Sequence, residues 1–257
     1  EGVASEAASL AGHLGLGNIV YIYDDNHISI GGDTDVCFSE NVPHRFESYG
    51  WHVETVDAHD LSALNDVLNR GVRVIDQPTL ICARTTIAQG SPNKANTADA
   101  HGAPLGAEEL EKTKRALAWA HAEEFYLPEE VLKFCSDRVK SKLVEYQEWH
   151  TRFDLWAEQN TALASALTEQ RDRKLPAVLK QELVDEYASQ EEKVATRALS
   201  GKVIQTLAKH LPNLIGGSAD LEPSNKTMIL NSSDIARKEY GGANVRFGVR
   251  EHAMGSI

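Results

Sequence analysis

Cysteine is scarce in this 257-residue chain: Cys37, Cys82 and Cys135 are odd in number, widely spaced and form no CxxC pair. A disulfide-stapled scaffold is thereby excluded and a reducing compartment, the cytosol, is expected. Positive charge is also in short supply, with 26 Lys+Arg against 38 Asp+Glu and a formal net charge of -12. A nucleic-acid partner demands a basic face, so that class falls away. No apolar run approaches the roughly 18 residues of a membrane span, which argues against a membrane partner. Internal repeats and low-complexity tracts are missing too. So is an initiating methionine: the sequence opens at Glu1, directly into a helix-like stretch, and no targeting segment is expected within these residues. What remains is ordinary globular material, 42% hydrophobic and 25% charged, enough for one or two domains with a full core.

The order of elements predicts an α/β protein. Residues 1–15, EGVASEAASLAGHLG, combine Ala, Ser and Gly with Leu10 and Leu14, as in a buried helix whose small residues allow close approach; Gly15 and Gly17 end it. Residues 18–25, NIVYIYDD, stay apolar rather than alternating, the pattern of a central parallel strand covered on both faces. A short helix at 46–49, a strand at 51–57, a helix at 61–70 capped by Asp60 and a strand at 78–84 continue the rhythm. A loop of about twenty residues then runs from Thr85 to Pro104, longer than compact domains use without a functional reason. Residues 107–188 are charged and helix-forming, read as helices covering the sheet, with a connection near 171–176. A second α/β segment starts near Glu191, with a helix to His210, strands at 213–217 and 244–249, and a helix from about Arg250. Two strands make an incomplete sheet.

Several residues have chemistry to offer, and each has a structural alternative. Asp24-Asp25-Asn26-His27-Ile28 follows a strand, where open α/β sheets place ligands, and its hard oxygens suit Mg²⁺ or Ca²⁺. The same residues also simply end a strand and begin a turn. His101, in HGAPL, can move protons or contact phosphate near neutral pH, although most loop histidines do neither. Arg197 and Ser224 could together hold a phosphate, or be a solvated helix charge and a turn residue. Glu251, in VREHAMG, is either a helix N-terminal charge or an acid enclosed by apolar surroundings with a raised pKa.

In combination, EGVASEAASLAGHLGLGN, YDDNHISIGGDT, RFESYGWHV, GSPNK, HGAPLG, GGSADLEPSN and RFGVREHAMG occur in an order that resembles transketolase over nearly the whole length. The resemblance implies a three-layer α/β/α thiamine diphosphate-binding fold with mostly parallel sheets, divided into two partial domains. Residues 1–160 would be the C-terminal part of the diphosphate domain with a helical extension. Residues 161–257 would be a linker and the start of the pyrimidine domain. It further implies transfer of a two-carbon ketol unit from a ketose phosphate to an aldose phosphate, as in the pentose phosphate pathway and Calvin cycle. The implied protein is a homodimer with its active sites at the subunit interface, cytoplasmic, or plastid if a transit peptide lies upstream.

By the same resemblance, Asn26 and the carbonyl of Ile28 are metal ligands for Mg²⁺, Ca²⁺ or another divalent cation, Asn26 also touching the diphosphate. Ile30 presses on the thiazolium, His101 lies between diphosphate and substrate, and Asp220 and Leu221 line the cofactor site. Arg197 and Ser224 hold the sugar phosphate, and Glu251 faces N1′ of the aminopyrimidine. The cofactor performs the carbanion chemistry and the protein positions it, so Glu251 is expected out of bulk water. Glu1 and Glu6 resemble interface acids linking paired sites, and the small-residue helix would be an interface helix. The family's Gly-Asp-Gly metal turn is expected just before Glu1; Gly31-Gly32-Asp33 falls on the wrong side of Asn26 to serve. The 257-residue chain alone is therefore expected neither to bind cofactor tightly nor to turn over. Dihydroxyacetone synthase shares most motifs, with the phosphate pair leaning toward sugar phosphates. 1-Deoxyxylulose-5-phosphate synthase is more distant, and HGAPLG and GGSADLEPSN speak against it. A truncated, non-catalytic partner of a full-length enzyme is the other class of reading.

Overall fold

The computed structural model describes residues 2–188 and 193–256. The expected role of Glu1 and the expected start of the second α/β segment near Glu191 lie outside the described residues. By contacts the chain divides into two compact units, one of 1–120, 195–201 and 215–257, the other of 121–194 and 202–214.

The first unit begins with α1 (Gly2–Leu14), β1 (Val20–Asp25) and a short antiparallel hairpin of β2 (Ile28–Ser29) and β3 (Gly32–Asp33). α2 (Val42–Ser48), β4 (His52–Asp57), α3 (Leu61–Val72) and β5 (Thr79–Arg84) follow. β1, β5 and β4 lie side by side in that order, all parallel. Alternation along β5 builds the layers. Leu80 and Cys82 pack with Ala8 and Ala11 of α1, Val42 of α2 and Trp51, whereas Ile81 and Ala83 pack with Val56 and with Val67 of α3. Helices therefore cover both faces of the sheet, the α/β architecture that the strand–helix rhythm implies. Leu80 and Ile81 are 1% and 0% exposed, and burial of each contributes roughly 2–3 kcal/mol. Asp60 caps α3 as expected, its side chain accepting from the Ala63 N–H.

One strand departs from expectation. β1 does not occupy the middle of this sheet; β5 does, and Tyr21 and Ile22 of β1 are 62% and 54% exposed. An apolar run shows that a strand can be covered on both faces, not that its own chain supplies the cover. α1 behaves as its composition predicts, because Gly12 passes so close to the turn after α2 that a Cβ there would meet the Tyr49 carbonyl oxygen at 1.9 Å. Trp51 Nε1 donates to the Ala8 carbonyl at 2.8 Å across the same contact. The close approach that the small residues permit is thus made within the chain.

α4 (Ala107–Ala116) completes this part of the first unit. The second unit carries α5 (Glu129–Gln159), α6 (Thr161–Arg171) and α7 (Leu179–Tyr187). Of the charged segment expected to cover the sheet, α5 to α7 group with each other and with 202–214 in the second unit, and no described residue of α5 is buried. Charge and helix propensity predict the helices but not their packing partner. α8 (Thr196–His210) meets α7 in this unit through Thr206, whose hydroxyl bonds Tyr187 Oη and Glu186 Oε2, each at 2.8 Å. Glu182 accepts from Lys209 Nζ at 2.7 Å and from His210.

β6 (Gly216–Ser218), α9 (Glu222–Asn225), β7 (Asn244–Arg246) and α10 (Glu251–Ser256) return to the first unit. β6 and β7 pair in parallel and are shorter than the expected strands. The close register has a sequence cause, since a Cβ on Gly217 would meet the Val245 oxygen at 2.0 Å.

Candidate functional site

β1 delivers Asp24-Asp25-Asn26 to the carboxyl end of the sheet, in register with Arg84 of β5. Both aspartates are engaged there. Asp24 accepts from the Thr85 hydroxyl, while Asp25 pairs with His27 at 3.1 Å and with Arg84 at 3.7 Å. They hold the turn, which is the structural role for these two. Asn26 shapes the next step, its Oδ1 accepting from the Ile28 N–H at 2.9 Å. That interaction lets His27 take a left-handed φ of 59° and sends the chain into β2. An amide oxygen has two lone pairs, so Asn26 Oδ1 retains one for a ligand. Ile28 is buried at 9% and Ile30 is 78% exposed. Among the described residues no three His, Cys, Asp or Glu side chains are grouped to hold a metal ion. A cation here would depend on the oxygens of Asn26 and Ile28 and on oxygens from outside that set.

The long loop after β5 is more ordered than its length suggests. The Thr86 N–H donates to His59 Nε2 at 2.9 Å, pinning its start. Its far end is held by Glu109 in the first turn of α4, whose carboxylate accepts from Ser91 Oγ at 2.5 Å and from the Asn93 N–H and Asn93 Nδ2 at 2.8 Å each. Those donors hold the Glu109 carboxyl far below the usual carboxylate range, at about 2. Between these points a short 3₁₀ turn, Ala98–Ala100, ends at His101. The Nδ1 of His101 is buried without a hydrogen-bond partner among the described residues. Buried polar atoms are nearly always satisfied, so this nitrogen is free to pair with a group outside the described residues.

The remaining candidates lie in 195–201 and 215–256 of the same unit. Arg197 is exposed in the first turn of α8 and makes no ion pair among the described residues; Ser224 is exposed in α9. Their segments touch: a Cβ on Gly201 would lie 2.7 Å from Lys226 Cβ. Asp220 is exposed with a left-handed φ of 61°, and Leu221 is 58% exposed. Ser218 organises this turn, accepting at Oγ from Asn225 Nδ2 at 2.8 Å and from the Leu221 N–H at 3.3 Å. Buried Asn244 holds the following loop, accepting from the Ile229 N–H at 2.8 Å and donating to the Ile229 and Ser232 carbonyls at 3.0 Å each.

Glu251 stands in the first turn of α10 and is solvent-exposed. The expected enclosed carboxyl is not met within the described residues, because its apolar neighbours Phe247 and Ala253 turn instead into the core. What fixes its backbone is α1. Glu6 Oε2 accepts from the Ala253 N–H at 2.8 Å, Arg250 donates to Ser9 Oγ at 3.0 Å, and Leu10 packs with Ala219 and Phe247. Glu6 thus serves as a cap on α10.

The family profile described as the transketolase thiamine diphosphate binding domain matches residues 1–176, and that of the transketolase pyrimidine binding domain matches 192–257. The chain belongs to the transketolase family. Transketolase of Bacillus subtilis is 46% identical over the whole of this chain, which spans 38% of that protein. A chloroplastic transketolase of Craterostigma plantagineum is 41% identical, this chain covering 50% of it. Among solved structures, a Pichia stipitis transketolase in complex with sedoheptulose 7-phosphate superposes with a TM-score of 0.91 at 38% identity, over all of this chain and 39% of that one. A Leishmania mexicana transketolase gives 0.89 at 32% identity, over 98% of this chain and 38% of that one. This transketolase-family chain therefore spans well under half the length of most relatives it matches here. No helix among its described residues is long and apolar enough to cross a membrane. Sequence reasoning missed Glu109, Ser218 and Asn244. The only signal for Glu109 was its place three residues after the helix-starting Gly106, where a carboxylate can reach back.

Proposed function

We propose that this chain is part of a transketolase that uses thiamine diphosphate and a divalent cation to move a two-carbon ketol unit from a ketose phosphate to an aldose phosphate. The observation that carries this reading is the buried, unpartnered Nδ1 of His101, at the end of an ordered loop inside the region matched by the thiamine diphosphate-binding profile. When bound, the cofactor supplies the carbanion chemistry, and the chain's own residues position it. Asn26 Oδ1 and the Ile28 carbonyl would hold Mg²⁺ or Ca²⁺ against the diphosphate, Ile30 would support the thiazolium, and Asp220 and Leu221 would line the site. His101 would bridge diphosphate and substrate and pass protons at its ring nitrogens. Arg197 and Ser224 would take the sugar phosphate. Glu251 would hold a proton toward N1′ of the aminopyrimidine, which requires cover that the described residues do not supply. Two chains would pair as a homodimer to provide it, the diphosphate-domain part running to about 160 and the linker and pyrimidine-domain part following, in the cytoplasm or a plastid.

Two measurements test the reading. Calorimetric titration of the 257-residue chain with thiamine diphosphate and Mg²⁺ is expected to show no tight binding and no turnover; micromolar binding with activity would overturn the claim that the site needs more than this chain. In the complete polypeptide, Glu251→Gln is expected to remove most ketol transfer, by about 100-fold or more, with the fold intact. Near-normal activity would remove Glu251 from the proposed machinery.

A further inference from the structure

We propose that Glu109 is the positioning residue of the His101 loop: its carboxylate ties Ser91 and Asn93 to the first turn of α4 and so holds closed the segment that presents His101. What His101 is presented to rests on the thiamine diphosphate reading; the clamp itself does not.

Glu109 is only 7% exposed, yet the groups that hydrogen-bond its carboxylate are neutral. Burying a carboxylate is costly unless donors replace its water, and here an O–H, a backbone N–H and an amide N–H do so. None of these donors belongs to α4. All come from the far side of the loop, 16 or 18 residues earlier, with Ser91 itself 4% exposed. The bonds therefore close a ring of chain with His101 inside it, offsetting the closure entropy that a long irregular segment would otherwise resist. The ring continues inward, as Ser91 Oγ accepts from the Lys94 N–H at 3.1 Å and the Asn96 N–H donates to the Ile87 carbonyl at 3.0 Å. The helix end braces the loop's start, since Gly90 lies so near Leu117 that a Cβ would meet its side chain at 2.5 Å. A loop closed in this way restricts the backbone that carries His101, whose Nδ1 is buried and unpaired among the described residues. If Glu109 were absent, buried Ser91 Oγ would lose its acceptor and the exposed Asn93 would lose its tie to α4, so opening to water would become the favoured outcome.

The test uses amide hydrogen exchange and the imidazole ¹⁵N resonances of the 257-residue chain. Glu109→Ala is expected to speed exchange at 93–101 by about tenfold or more, with the β5 amides at 80–83 unchanged. It is also expected to shift the His101 ring nitrogens while those of His13 stay in place, a signature that a general loss of stability would not give. Glu109→Gln, which keeps the reach and one acceptor oxygen, is expected to restore part of both. Should Glu109→Ala unfold the sheet, Asn93→Ala removes one branch of the clamp and is expected to give the same local change at smaller size. Unchanged exchange at 93–101 and an unmoved His101 signal in whichever variant keeps β5 protected would overturn the proposal. Ketol transfer by the complete polypeptide is a separate readout: a loosened loop in a protein that transfers no ketol would support the clamp and overturn only the transketolase reading.

Discussion

At the scale of single residues, burial separates side chains that look alike in the sequence. Cys82 sits in β5 at 3% exposure, and burial, with a smaller effect of Asp25, pushes its thiol up to about 11, whereas Cys37 and Cys135 are exposed. Alkylation at pH 8 is therefore expected to label Cys37 and Cys135 and to spare Cys82 until the chain unfolds. Rapid labelling of all three in the folded chain would contradict the packing of β5. Glu109 shows the opposite shift. With its folded pKa depressed to about 2 by the Asn93 and Ser91 donors, the clamp contributes stability at any pH above the ordinary carboxylate value of 4.5. That contribution falls away as the pH drops from there toward 2. The Glu109 carboxyl carbon, followed by NMR, is expected to keep its ionised chemical shift at pH 4; titration there would mean the donors are not in place. Neither residue was legible in the sequence. A cysteine in an apolar strand announces burial, but not by how much, and Glu109 lies amid other glutamates in AEELEK, marked only by its place three residues after Gly106.

At the scale of elements, the sequence was read best where a local rule and the fold agree. Asp60 before an amphipathic run gave α3, and PTLICAR gave β5, buried from Thr79 to Ala83. It was read worst where an element's partner decides its role. β1 looks as apolar as β5 but lies at an edge, and the aromatic row of α5 packs Trp149 on Phe153 at 5.3 Å within its own helix. α1 shows how contact can reverse a propensity. A Gly→Ala change inside a helix ordinarily gains about 1 kcal/mol. At Gly12 the new methyl would meet backbone oxygen at 1.9 Å, so Gly12→Ala is expected to destabilise by roughly 1–3 kcal/mol in urea unfolding. A stabilised variant would show that α1 stands off from the turn at Tyr49. The other end of α1 has a different task. Glu6→Ala removes the acceptor for the Ala253 N–H and is expected to speed exchange at 253–255, while Glu6→Gln, which retains an amide oxygen, changes it little. Since α10 begins with Glu251, this contact joins the helix predicted from small residues to the acid predicted from the family motif.

At the scale of the whole molecule, the proposed function would set a net charge of -12 beside an anionic cofactor and anionic substrates, so positive field would have to be local. Arg197 suits this need. Arg197 is exposed and has no ion pair among the described residues, and Gly201, one turn further along α8, lies close to Lys226 just after Ser224. An arginine that only solvated a helix face would be equally exposed, and so kinetics must separate the two roles. In the complete polypeptide, Arg197→Ala is expected to raise KM for phosphorylated aldoses by about tenfold or more, the scale of one charge-assisted phosphate contact. It should leave kcat nearly unchanged, because the contact is made alike in ground and transition states. With an unphosphorylated aldehyde acceptor the variant and the parent should have the same KM, and added salt should raise the parent's KM for the phosphate substrate while moving the variant's less. An unchanged KM for phosphorylated sugars would return Arg197 to the solvated face of α8. A loss of kcat with both kinds of acceptor would place the fault in α8 and the turn it braces, since a phosphate contact has no role with a substrate that carries no phosphate.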